Sequence, residues 1–170
     1  MVKCVMLDID GVLNSVDSAI GWCALKGHQQ EELTLDPISV GLLKSLCDIT
    51  DAKIVISSTW RLGRTVQDFV EIFKLYEWDN APIIDMTPSL PGKRDSHERR
   101  GHEIQQWLDN NPVDSYVIFD DDSDMLGSQL HSFIHVSNIN GFRSQHYVKA
   151  LRHFGHPDDR LEQQVNFVRK

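Results

Sequence analysis

KCVMLDIDGVLN, residues 3–14, contains an apolar run that stops abruptly at two aspartates and a glycine. Residues 3 to 7 show no helical period, which suits a strand of a parallel sheet covered on both faces. Asp8 and Asp10 follow directly. Two residues apart in extended chain, they project to the same side. Like charges at about 4 Å repel by roughly 4 kcal/mol at an effective dielectric near 20, and a divalent cation relieves that conflict. A polar turn after a strand gives the same letters without any chemistry. A calcium loop of the EF-hand kind does not fit, because it needs Gly at its sixth position and Glu at its twelfth, whereas Gly11 is fourth and Ala19 twelfth.

Outward from this stretch the chain alternates. Residues 53 to 56 (KIVI), Tyr116 to Phe119 (YVIF) and Phe133 to Val136 (FIHV) are further short apolar runs, and Ile83 to Ile84 mark another candidate strand. Asp36 as N-cap and Pro37 in the first turn open a helix with Val40, Leu43 and Leu46 on one face. Thr65 caps a second, carrying Val66, Phe69 and Phe73. A third begins near Arg100, presents Ile104, Trp107 and Leu108, and ends at Asn110, Asn111 and Pro112. Ser144 starts a fourth through Val148 and Leu151. Residues 15 to 35 and the stretch from His156, one more helix at most, have no clear pattern. Strands alternating with helices predict an α/β protein with a mainly parallel sheet, its ligands beyond the carboxyl ends of the strands.

Those ends carry the notable residues. SSTWR follows the second strand and offers Ser57, Ser58 and Thr59 hydroxyls, backbone N–H groups and Arg61, a set able to hold phosphoryl oxygens. Helix capping by Ser58 or Thr59 explains the same letters. KRDSHERRGHEI gathers Lys93, Arg94, Arg99 and Arg100 before the third helix, so one cation reaches the carboxyl edge. FDDDSD ends the fourth strand with Asp120, Asp121, Asp122 and Asp124. Asp8, Asp10 and one or two of these aspartates make an oxygen-only set suited to Mg2+, which favours a few carboxylates with water and phosphate. The scattered histidines read as surface or packing residues, and the four tryptophans as core or loop anchors.

Bulk properties set the remaining limits. At 170 residues, with 41% hydrophobic and 25% charged residues, the chain is expected to form one domain over 1–170. No apolar run approaches the roughly 20 residues of a membrane span, and Lys3 and Asp8 interrupt the N-terminal stretch too early for an export signal. Three cysteines without CxxC spacing support neither a disulfide framework nor zinc, and a reducing cytoplasmic location is expected. A net charge of -8 opposes extended contact with a phosphate backbone, leaving one strand end as the nucleic-acid partner compatible with it.

In order and position, DxD after the first strand, Ser after the second, a Lys or Arg, and an acidic pair after a later strand resemble the haloacid dehalogenase (HAD) superfamily. The resemblance implies a HAD-like Rossmannoid three-layer sandwich with minimal or no cap domain. It implies a phosphatase in which Asp8 attacks phosphorus and Asp10 is the acid and base. Ser57 then binds the phosphoryl group, and Arg100 takes the cationic position ahead of Arg99 and Lys93. Mg2+ is then held by Asp8, the Asp10 carbonyl and Asp120, with Asp121 or Asp124 acting through water. STWR, RRGHEIQQWL and VIFDDDSD are similar to the phosphatase modules of polynucleotide-end-healing and RNA-repair proteins. That likeness adds Ser58, Arg61, Arg99 and Lys93 as substrate ligands and a DNA or RNA strand end as substrate. The alternatives are a small-molecule or nucleotide phosphatase and a phosphate-binding scaffold of the same fold. A receiver-type signalling module has the acidic pair and the acceptor in the opposite order.

Overall fold

The structure, a computed structural model, describes residues 1–26, 35–90 and 98–157. Five strands form one parallel sheet: β1 (Lys3–Leu7), β2 (Lys53–Ile56), β3 (Ile83–Met86), β4 (Ser115–Asp120) and β5 (Phe133–His135). Their order across the sheet is β3-β2-β1-β4-β5, so β1 lies at the centre and the chain reverses direction of travel beside it. Such a switch leaves a crevice beyond the carboxyl ends of β1 and β4, where α/β sheets bind ligands.

Burial on both faces explains the unbroken apolar strands. Val5, Leu7, Ile54, Ile56, Val117 and Phe119 pack on one side with the residues of α2 (Pro37–Thr50), α3 (Val66–Lys74) and α5 (Ser144–His153). Cys4, Met6, Val55 and Ile118 pack on the other with Ile104 and Trp107 of α4 (Arg99–Asn110). Helices therefore cover both faces of the expected sandwich.

Local signals fix the helix ends. The Asp36 carboxylate accepts from the Ile38 amide at 2.9 Å with Pro37 in the first turn. Thr65 and Asp68 form a reciprocal capping box on α3. The N-terminus of α4 takes its cap from elsewhere: Glu98 contributes no side-chain bond, while the Arg100 amide donates to Asp124 Oδ2 and the Gly101 amide to the Asp124 carbonyl, both at 3.0 Å. Gly101 is required for that fit, since a Cβ there would sit 2.5 Å from the Leu126 nitrogen.

One helix lay outside the sequence reading: α1 (Val16–Lys26) occupies part of the unassigned 15–35 region. Val16, Ile20 and Leu25 on it are exposed, so no apolar stripe announced it. Residues 27–34 of that region, Lys93, Arg94 and residues 158–170 lie outside the described residues. The strand expected at Ile83–Ile84 runs on to Met86. No helix of the described residues is long and apolar enough to cross a membrane.

Candidate active site

Strand register builds the site. Leu7 is level with Ile56 of β2 and Phe119 of β4, and Ile56 is level with Met86 of β3. One residue further along, Thr87, Ser57, Asp8 and Asp120 therefore form a row across four adjacent strand ends. Side chains alternate along a strand, so all four share the α4 face with Met6, Val55 and Ile118. The ladder continues into this row, with the Asp8 amide donating to the Phe119 carbonyl at 3.0 Å and the Ser57 amide to the Leu7 carbonyl at 2.8 Å.

Three carboxylates converge there. Asp8, Asp120 and Asp121 each offer an oxygen within 4.8 Å of the others, and Asp8 and Asp120 are buried. Loss of hydration pushes the Asp120 carboxyl up to about 8, with the Asp8 charge adding to the effect and Arg100 opposing it. Burial also raises Asp8, against Arg100 and hydrogen bonds from the Ser58 hydroxyl and the Ile9 amide. Asp121 is raised by burial and then by the Asp8 charge. Among the described residues Asp120 Oδ2 has no hydrogen bond, only Arg100 Nε at 3.3 Å. Gly11 makes the approach possible: at φ +71 it takes a left-handed turn, and a Cβ there would lie 2.3 Å from Asp121 Oδ2. Crowded, partly unpaired carboxylate oxygens in a dehydrated pocket are a donor set that fits a hard divalent cation.

Arg100 stands between the acids and a buried hub. Its Nε faces Asp120, and its Nη1 lies 3.8 Å from Glu103 Oε2. Glu103, 2% exposed, also accepts from Arg61 Nη2 at 2.7 Å, Arg99 Nε at 3.2 Å and the Leu90 amide at 3.2 Å. One buried carboxylate thus meets three guanidinium groups, leaving a local positive excess beside the acidic row.

Several expected site residues take different places. Arg61 was expected to contact phosphate, yet Nε donates to the Thr87 carbonyl, Nη1 to Ser58 and Nη2 to Pro88 and Glu103. With four of its five N–H groups committed, it braces the loop after β2. Ser58 was expected to bind substrate, but its hydroxyl serves Asp8 and accepts from the Trp60 amide. Asp124 was a metal candidate; it caps α4 through Oδ2, stands outside the carboxylate group, and leaves Oδ1 buried without a partner. Arg99 turns toward Glu103 and Ser89. Ser57 sits in the row, fully buried, its hydroxyl without a hydrogen-bond partner among the described residues. Asp10 is exposed, and its carboxylate faces Trp60 and Asn14 instead of joining the three acids.

Residues the sequence did not single out are Glu103, Trp60, Asn14 and Thr87. Glu103 looks like an ordinary helical partner of Arg99 and Arg100 at i+4 and i+3 spacing. Thr87, buried with an unpartnered hydroxyl, ends the row at β3.

A search of curated protein sequences found no match. The sequence pattern of the HAD domain in Swiss Army Knife RNA repair proteins matches residues 4–147, a span that includes every strand residue but Lys3 and every member of the strand-end row. On that match, and with the sheet and acidic cluster where such a domain requires them, the chain belongs to this HAD family and is a HAD-type phosphatase.

Proposed function

We propose that the chain is a Mg2+-dependent phosphomonoester hydrolase working through an aspartyl phosphate on Asp8, with the phosphorylated end of a nucleic-acid strand as substrate. The observation that carries this reading is the convergence of Asp8, Asp120 and Asp121 within 4.8 Å, beside Arg100 and the unpartnered Ser57 hydroxyl. Asp8, Asp120 and Asp121 would hold the ion. When bound, Mg2+ supplies charge neutralisation that lets an anionic nucleophile and an anionic phosphate meet.

The protein groups then divide the work. Asp8 Oδ1 is held by the Ile9 amide at 2.8 Å, which fixes the carboxylate plane. The other oxygen attacks phosphorus as the bond from phosphorus to the ester oxygen breaks. Asp10 gives a proton to that leaving oxygen, then takes one from the water that releases inorganic phosphate and restores Asp8. The Ser57 hydroxyl donates to a phosphoryl oxygen, and Arg100 balances charge on the transferring group. Arg61 and Ser58 keep the Ser57 loop in place and do not touch substrate.

Support for a strand end comes from the RNA-repair context named in the family description and from the arginines around Glu103. The partly exposed Arg64 guanidinium, 5.5 Å from the Trp60 ring centroid, adds cationic character near Asp10. The test is a substrate panel with Mg2+: an aryl phosphate, mononucleotides and oligonucleotides bearing a 3′-phosphate. Hydrolysis abolished by chelation and by Asp8→Asn, with the oligonucleotide preferred, is the expected result. Preference for mononucleotides replaces the strand end with a small-molecule substrate. Full activity of Asp8→Asn overturns the assigned nucleophile.

A further inference from the structure

Asp10 is exposed, yet both of its carboxylate oxygens are engaged. Trp60 Nε1 donates to Oδ2 at 2.8 Å and Asn14 Nδ2 donates to Oδ1 at 2.9 Å. The two donors come from different loops, one after β1 and one after β2. Each is itself anchored. The Gly11 amide donates to Asn14 Oδ1 at 2.9 Å; because a backbone N–H can only donate, this contact turns the Asn14 NH2 toward Asp10. Trp60 is 8% exposed, its amide rests on the Ser58 hydroxyl at 3.3 Å, and Arg64 Nη1 holds its carbonyl at 2.8 Å.

We propose that Trp60 and Asn14 are positioning residues that aim the acid-base carboxylate of Asp10 at the leaving oxygen, a role that rests on the phosphatase reading above. An exposed Asp side chain otherwise samples several rotamers. Two N–H groups, one per oxygen, fix the carboxylate plane. Chemistry adds direction to geometry: the indole and the oriented amide donate at these contacts and accept nothing, so neither takes a proton from Asp10. A proton on Asp10 therefore occupies the lone pairs these donors leave vacant, on the side of the carboxylate turned away from Trp60 and Asn14. The Ser58 hydroxyl, shared between Asp8 and the Trp60 amide, ties this clamp to the nucleophile.

Proton donation matters most when the leaving group is a poor one, and a positioned acid is commonly worth about 100- to 10,000-fold. The experiment compares wild type, Trp60→Phe and Asn14→Ala across phosphate monoesters ranging from p-nitrophenyl phosphate to simple alkyl phosphates. Both variants are expected to lose at least about tenfold more kcat/KM on the alkyl esters than on the aryl ester, a fraction of the full effect of the acid, giving profiles that approach Asp10→Asn. Equal loss on every ester means the two residues only support packing, and no loss means they do nothing for Asp10; either result overturns the proposal.

A second readout does not depend on turnover. The indole N–H resonance of Trp60, identified as the signal missing from Trp60→Phe, is expected to shift in Asp10→Asn; an unmoved resonance overturns the contact. Should Trp60→Phe fail to fold, Asn14→Ala carries the kinetic arm, and sequential backbone assignment of the wild type identifies the Trp60 indole signal for comparison with Asp10→Asn. A wild type inert toward every ester rejects the phosphatase reading and with it the catalytic role, while the resonance still decides whether the clamp exists.

Discussion

Removing the carboxylate of Glu103 is the sharpest perturbation of stability that the site offers. Glu103→Ala strands Arg61, whose side chain is 5% exposed, takes the carboxylate partner from Arg99, and leaves Arg100 with Asp120 alone. It also deprives the Leu90 amide of its acceptor. Burial works against the Arg61 charge and Glu103 is the main group supporting it. Breaking a buried pair by deleting one partner costs about 3–5 kcal/mol, because the surviving charge keeps its desolvation penalty. Out of a typical total of about 5–15 kcal/mol, that is a large fraction. Lys44→Ala is the control: its pair with Asp48 is nearly as short, 2.8 Å against 2.7 Å for Arg61–Glu103, but largely exposed, and such helical i,i+4 pairs are worth about 0.3–0.5 kcal/mol. Urea denaturation followed by circular dichroism measures both. The Glu103→Ala loss should persist in high salt, where the Lys44 effect fades. A Glu103→Ala loss below about 1 kcal/mol contradicts the hub, since buried, uncompensated guanidinium groups cannot be that cheap.

Three further outcomes follow from the same geometry. Gly11→Ala places a Cβ 2.3 Å from Asp121 Oδ2 at a positive φ; it should cost about 1–2 kcal/mol and weaken Mg2+ binding more than tenfold by calorimetry, roughly. Asp124→Ala removes the tertiary cap of α4 and should cost about 0.5–2 kcal/mol in urea, while Asp121→Ala and not Asp124→Ala abolishes metal binding. Asp120 has a folded pKa of about 8, raised from its ordinary 3.8, so between those values the folded state binds the extra proton. Metal-free stability should therefore fall as pH rises from 4 to 8. Asp120→Asn should flatten that slope, and a metal-free protein that gains stability over the window refutes the assignment.

The parts of the fold that were legible in the sequence are those where local and tertiary demands agree. The runs 4–7, 54–56 and 117–119 within β1, β2 and β4 are unbroken apolar because both faces are covered, and Asp36-Pro37 and Thr65 place their helices by capping chemistry that needs no distant partner. α1 escaped because Val16, Ile20 and Leu25 point outward, leaving no periodic stripe. β3 was read too short: Asp85 looks like the end of a strand, but its carboxylate is used by the Trp107 indole at 2.7 Å, so pairing continues to Met86.

Within the site, the strand-end acids and Ser57 were readable because a motif directly after a buried strand has only one rim to occupy. Roles that depend on partners remote in sequence were not. Arg61 and Glu103 are 42 residues apart; alone, Arg61 reads as a phosphate ligand and Glu103 as a surface residue. Asp124 looks like one more ligand in an acidic loop until α4 is seen to lack a cap of its own. Trp60 reads as a core anchor, which it is by burial, and only its indole contact with Asp10 reveals a second use.

Asp8 is expected to carry the phosphoryl group during turnover. Rapid quenching of the Mg2+-loaded enzyme during turnover, borohydride reduction of any acyl phosphate and tandem mass spectrometry test it directly. Conversion of residue 8 to homoserine, absent without Mg2+ and absent in Asp8→Asn, is predicted. Reduction at another aspartate, or turnover with residue 8 unmodified at every quench time, contradicts it.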